Sequence, residues 1–218
     1  MELFQTLIDF ILHIDQHLAA ITSEYGTLTY LILFAIIFCE TGFIVMPLLP
    51  GDSLLFAAGA ISALDGSGLN VHLMAVLLII AAFSGNMVNY SVGRYIGPKV
   101  FEKDYRFIKR EYLDRTKKFF DRYGSMTIVY TRFAPILRTF APFIAGVGQM
   151  NYGRFMLFNF IGGFAWVVIF SYAGFFFGNV PFVKENFESV VIGIILVSLI
   201  PSVYIFLKEK FGKKDEIN

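Results

Sequence analysis

Three stretches of this chain, residues 71–90, 155–178 and 190–207, run for about twenty residues each without one Asp, Glu, Lys or Arg. A helix rises about 1.5 Å per residue, so about 20 apolar residues cross a hydrocarbon core of roughly 30 Å. A bilayer leaves no water for stray backbone groups, and uninterrupted apolar runs of this length satisfy them as helices. Of 218 residues, 56% are hydrophobic and 16% charged, and the mean hydropathy is +0.65, too apolar for a soluble domain of this size. The expected fold class is all-α integral membrane, a single membrane domain over 1–218 with about three full transmembrane helices and amphipathic surface helices.

The net charge of +1 gives no reason to expect a nucleic-acid partner, but the charge is unevenly spread. No Lys or Arg precedes Arg94, ten of the eighteen basic residues fall within 94–122, and Lys208, Lys210, Lys213 and Lys214 sit in the tail. The positive-inside bias places both basic regions, and the C-terminus, in the cytoplasm. The 94–122 segment interleaves five acids and several aromatics, and is expected to be an amphipathic helix on anionic headgroups. The N-terminal segment lacks a basic leader and a small-residue cleavage site, so it is expected to remain in the mature protein as an interfacial helix. Cys39, alone in an apolar run, is expected to be a packing residue.

Two further apolar regions are interrupted. Residues 28–39 make only about 18 Å of helix, then meet Glu40 and Gly42. The chain next breaks at Pro47-Leu48-Leu49-Pro50-Gly51-Asp52. Residues 126–150 carry Arg132, Pro135, Arg138 and Pro142. Both read as re-entrant helical hairpins, over 28–63 and 126–150, broken at Pro47, Pro50 and Gly51 in the first and at Pro135 and Pro142 in the second. Sidedness makes them enter from opposite faces, the signature of an inverted repeat. A shift of 98 residues aligns Tyr25-Gly26-Thr27 with Tyr123-Gly124-Ser125 and Glu40-Thr41 with Arg138-Thr139. The first half, about 1–93, would hold a surface helix, the first hairpin and the 71–90 helix. The second, about 94–178, would hold the basic helix, the second hairpin and the 155–178 helix, leaving 190–207 and the tail as an extra. The spanning helices end in Gly93 and Gly97, then Gly174 and Gly178, a spacing expected to mean close helix packing.

Four charged residues facing lipid would cost on the order of 10–14 kcal/mol, so Glu40, Asp52, Arg132 and Arg138 are expected to face inward. One reading makes them ion pairs that only staple the hairpins, Glu40 with Arg138 and Asp52 with Arg132. The other makes them a midplane transport site. Arg132 and Arg138 carry planar donor sets suited to phosphate. Glu40 and Asp52 are the only hairpin acids, and the opposing effects of desolvation and a neighbouring arginine suit a proton switch. Asp52, after Pro-Gly, could also cap the following helix. His13 and His17, four apart and near Asp9, fit a solvated interfacial face better than a metal site. No metal or other cofactor is expected.

The segment Arg132-Phe133-Ala134-Pro135-Ile136-Leu137-Arg138 with Ala145-Gly146 resembles the signature of the DedA family, also called the SNARE-associated or VTT-domain family. Glu40 with Pro47-Leu48-Leu49-Pro50-Gly51-Asp52, and Gly85-Asn86 with Tyr90-Ser91-Val92-Gly93-Arg94-Tyr95-Ile96-Gly97, resemble two further family motifs. Asn86 stands where the family usually has Asp, which removes a proton carrier from that position. The likeness covers about 25–178. It implies a bacterial inner-membrane lipid transporter, associated with undecaprenyl phosphate recycling or phospholipid scrambling and dependent on the proton motive force. It carries functional requirement onto Glu40, Asp52, Arg132 and Arg138.

The expected function is therefore proton-coupled translocation of an anionic lipid, foremost undecaprenyl phosphate. The alternatives are a carrier or scramblase for another phospholipid such as phosphatidylethanolamine, or a non-transporting scaffold. A homo-oligomer is left open. A lipid phosphatase is disfavoured, because His13, His17 and His72 all lie outside the hairpins and no nucleophile and base cluster is evident.

Overall fold

In the computed structural model, residues 14–43, 51–64, 66–97, 117–118, 120–178, 180–186, 189–190, 192–194 and 196 are described. All regular elements among them are helical. Pro47 and Pro50, most of the basic segment, most of 190–207 and the tail lie outside the described residues, with the expectations placed on them.

Helix α1 (Ile14–Tyr25) precedes α2 (Leu28–Gly42), the first leg of the first pair. Helix α3 (Gly51–Ser62) is its second leg, and α4 (Val71–Ile96) is the first long helix. The leg that opens the second pair is short and tightly wound: a 3₁₀ turn (Gly124–Met126), α5 (Thr127–Tyr130) and a second 3₁₀ turn (Thr131–Phe133). Then follow α6 (Pro135–Val147), the long α7 (Tyr152–Phe177) and the brief α8 (Pro181–Glu185). Helices α4 and α7 are each 26 residues and long and apolar enough to cross a membrane. α2, α3 and the core of α6 are apolar but shorter.

Local chemistry explains the ends. The Asn70 side chain caps α4 by accepting from the backbone N–H groups of His72 (2.9 Å) and Leu73 (3.0 Å), and Asn151 caps α7 through Arg154 N–H (3.1 Å). Ala134, forced out of helical geometry by the proline after it, is extended (φ −122°, ψ 99°), and Pro135 opens α6 where its missing N–H costs nothing. That is the break in the second pair. Pro142 is not one: it lies inside α6, which runs unbroken past it, contrary to the sequence expectation. An internal proline removes one hydrogen bond and crowds the carbonyl four residues back. Here the packing of α6 along α4 holds the helix together despite that loss.

The packing between pairs is reciprocal. Each first leg lies on the long helix of its own half, α2 on α4 and α5 on α7. Each second leg lies on the long helix of the other half, α3 on α7 and α6 on α4. The contacts match residue by residue. A Cβ on Gly174 would strike the Phe56 carbonyl and one on Gly59 the Ser171 carbonyl, while one on Gly93 would strike Phe143 and one on Gly146 Tyr90. Tyr90 and Gly93 stand 81 positions before Ser171 and Gly174, and Phe56 and Gly59 stand 87 before Phe143 and Gly146. Small residues let these backbones meet. The expected packing role thus holds for Gly93, Gly174 and Gly178, which meets Ala60. Gly97 instead ends α4 at φ +67° with open space around it.

This geometry revises the sequence alignment. Gly26 and Gly124, 98 apart, both open a first leg with positive φ, +52° and +56°. The second legs, however, correspond at 87, because the first leg of the second pair is shorter. Glu40, near the end of a first leg, therefore corresponds in place to Arg132. Asp52 and Arg138 each lie in the opening turn of a second leg but one step out of register: at the offset of 87, Arg138 matches Gly51 and Asp52 matches Thr139. The aligned pair Glu40 and Arg138 are contact partners, not equivalents.

Helix α1 packs on α3, with Leu18 buried in the main core. That core is built chiefly from α2, α3, the first half of α4, and Trp166 and Val167 of α7.

A buried charge cluster as the candidate functional site

The four charged residues meet where the end of α2 and the start of α3 face the second 3₁₀ turn and the start of α6. Glu40 sits in the last turn of α2, Asp52 in the first turn of α3, Arg132 in the 3₁₀ turn before Ala134, and Arg138 in the first turn of α6. None is more than 5% exposed, as the cost of lipid-facing charge requires.

The two arginines differ in what they hold. Arg138 serves both acids: its Nη2 donates to Glu40 Oε1, and its Nη1 donates to Asp52 Oδ1 at 2.8 Å. The expected Glu40–Arg138 pair is present. The expected Asp52–Arg132 pair is not, because α6 brings Arg138 to both carboxylates. Asp52 lies within the first turn of α3 instead of at its cap, its carboxylate turned to Arg138 and to Trp166. Gly51 forms a cradle beneath Glu40, since a Cβ there would come within 2.8 Å of the Glu40 carboxyl carbon.

Arg132 has no carboxylate partner among the described residues. Its Nη2 donates to Asn159 Oδ1 (2.7 Å) and the Ala82 carbonyl (3.2 Å). Asn159 in turn donates to the Phe83 carbonyl (3.0 Å), which fixes which way its amide points. The Asn86 amide is 2.9 Å from that of Asn159. As oriented, Asn86 Nδ2 donates to Asn159 Oδ1; with its oxygen turned toward Arg132 it gives up that bond, accepts from Nη2 at 2.7 Å and donates to the Thr41 carbonyl at 3.3 Å. Arg132 Nε and Nη1 have no hydrogen-bond partner among the described residues. A buried cation so placed is held by neutral amides and stays unneutralised by direct contact.

Trp166, at mid-α7, joins the two arginines. It is fully buried, its Nε1–H donates to Asp52 Oδ1 at 2.7 Å, and its ring centroid lies 5.1 Å from Arg138 Cζ and 5.8 Å from Arg132 Cζ. Both distances are within cation–π range. Asn89 ties the pairs together from α4, donating to the carbonyls of Thr41 (3.3 Å) and Thr139 (2.8 Å).

Sequence reasoning named the four charges but missed Asn89, Asn159 and Trp166, and treated Asn86 only as a departure from a motif. A signal existed: amides within apolar spanning runs must find polar partners, and here those partners are the charged breaks. A cavity of about 500 Å³ opens away from the cluster, where the second pair of legs begins and ends, lined by residues including Lys117, Phe120, Ser125, Ile144, Val147 and Met150.

The VTT domain matches residues 49–176. The chain is 51% identical over 211 residues to Protein DedA of Escherichia coli strain K12, covering 96% of each chain. It is 43% identical over 171 residues to an uncharacterized membrane protein of Mycobacterium tuberculosis strain H37Rv, 78% of this chain and 75% of that one. It is also 29% identical over 212 residues to Inner membrane protein YghB of Escherichia coli strain K12, 93% and 92% covered. No solved structure matches. Long apolar helices, broken legs carrying opposed charges and relatives of this kind together place the chain in the VTT-domain family of membrane proteins, the family of DedA.

Proposed function

We propose that this protein moves an anionic lipid headgroup, foremost undecaprenyl phosphate, across the bacterial inner membrane, with transport coupled to protons. In this reading the two pairs of legs are re-entrant hairpins that enter the bilayer from opposite faces, and the basic segment and C-terminus are cytoplasmic. The observation that carries the reading is Arg132: among the described residues, a buried guanidinium whose Nε and Nη1 have no partner and which pairs with no carboxylate. A phosphate oxygen supplies the missing acceptor and the missing charge together. Arg138 does not share that task, because its donors are given to Glu40 and Asp52. The acids and Arg138 then form the proton-coupling half of the site. The cluster is shut from solvent, so the headgroup reaches Arg132 only when the legs part, as alternating access requires.

The test is transport in reconstituted vesicles. Arg132→Lys keeps the charge but loses the planar donor set, so polyprenyl phosphate transport should fall at least tenfold with the fold intact. Wild-type rates in a stable Arg132→Lys protein would end the phosphate-site reading. Equal transport of phosphatidylethanolamine and polyprenyl phosphate by the wild type would replace it with a general phospholipid scramblase.

A further inference from the structure

The chain has one tryptophan, and it touches both halves of the charge cluster described above. We propose that Trp166 is a positioning residue through which the protonation of Asp52 and the occupancy of Arg132 act on each other; the Arg132 half of this rests on the transport reading, while the Asp52 half does not.

Asp52 Oδ1 accepts two bonds, from Arg138 Nη1 at 2.8 Å and from the indole Nε1–H at 2.7 Å. An indole can only donate. When a proton binds the Asp52 carboxylate, the oxygen that both donors share becomes a weaker acceptor, in a buried site where an unmet donor is costly. Arg138 keeps an alternative in Glu40; among the described residues Trp166 has none. The indole is therefore the group that must shift. Its ring lies against both guanidiniums, at 5.1 and 5.8 Å, so a shift of the ring alters the surroundings of Arg132. The close fit of α7 here makes that transmission direct: a Cβ on Gly163 would lie 3.4 Å from Arg132 Nη2 and one on Gly162 3.2 Å from Arg132 Cγ. The charged groups around Asp52 are Glu40 from α2, Arg138 from α6 and Arg132 from the turn before α6, while α7 contributes the indole. By linkage, a phosphate at Arg132 must then change proton binding at Asp52 by the factor that the proton changes phosphate binding.

Intrinsic emission makes this measurable, because the reporter is the residue in question. Full-length protein in phosphatidylcholine nanodiscs should show a pH-dependent step in tryptophan emission that is lost in Asp52→Asn, and adding polyprenyl phosphate should move its midpoint in the wild type. Trp166→Phe keeps an aromatic ring but removes the donor. It should retain radiolabelled polyprenyl phosphate within about twofold of wild type while turnover falls about tenfold and its pH profile flattens, the loss expected for one hydrogen bond to a charged group. A purely structural role would lower stability and lipid retention together and leave the pH profile's shape alone. An emission step that is absent in the wild type, or that survives Asp52→Asn, overturns the proposal whether or not Trp166→Phe folds. Wild-type turnover and pH profile in Trp166→Phe overturn it as well. If the wild type retains no polyprenyl phosphate, the transport reading and the Arg132 coupling fail together, and the Asp52 step still decides whether the indole is positioned by that acid.

Discussion

Arg138 and Arg132 stand six residues apart around one break, face the same indole, and have opposite surroundings. Arg138 is saturated by two carboxylates contributed by the other pair of legs. Arg132 is held by the amide of Asn159, by Asn86 and by a backbone carbonyl, and keeps idle donors. The difference teaches that a buried cation can be retained for two reasons. One arginine closes an ion-paired joint between the pairs of legs. The other is kept short of acceptors, which is a poor way to stabilise a fold and, in the transport reading proposed above, leaves donors for an anion.

The largest effect should come from removing the saturated partner. Arg138→Ala leaves two acids buried without their cation and should cost about 3–5 kcal/mol of stability. Denaturant unfolding of the detergent-solubilised protein measures it, and adding Glu40→Gln with Asp52→Asn should restore most of the loss. Unchanged stability in the single variant would mean that the joint does not hold the legs together.

A smaller effect is expected beneath Glu40. Gly51→Ala pushes a methyl into the carboxyl group and should cost roughly 1–3 kcal/mol, the usual range for overpacking. The same substitution in a Glu40→Ala background should cost far less, and a double-mutant cycle gives the difference. Additive costs would show that Gly51 is not the cradle of that acid.

The smallest change in stability should be the most telling for function. Asn159→Asp gives Arg132 an acid at the position of its 2.7 Å acceptor and so makes it resemble Arg138. Stability should move by less than about 1 kcal/mol, since a new buried pair roughly offsets its own desolvation. Retention of polyprenyl phosphate should nonetheless drop about tenfold, because the anion would compete with a built-in carboxylate. Undiminished retention would dissolve the distinction between the two arginines.

Much of the architecture was legible in the chain. The long helices appeared as 71–90 and 155–178 and are observed as Val71–Ile96 and Tyr152–Phe177, since an apolar run ends where its capping residue sits and not where hydropathy falls. The Pro135 break was legible because proline constrains the residue before it. Pro142 misled for the complementary reason: its local preference is real, but tertiary packing of α6 on α4 overrides it. The repeat was visible at Gly26 and Gly124, whose positive φ leaves a trace in residue type. It was lost beyond them, because a shortened leg changes the offset without leaving such a trace.

What the sequence determined by itself is that Glu40, Asp52, Arg132 and Arg138 turn inward on broken helices. The cost of charge in hydrocarbon is a property of each residue and needs no knowledge of its neighbours. Which charge meets which was decided only by tertiary structure. The exchange of second legs between the long helices carries Arg138 to both acids, leaves Arg132 to the amides of α4 and α7, and sets Trp166 between them. Pairing depends on ångström distances between residues 27 to 114 positions apart in the chain, and residue type alone does not encode those distances.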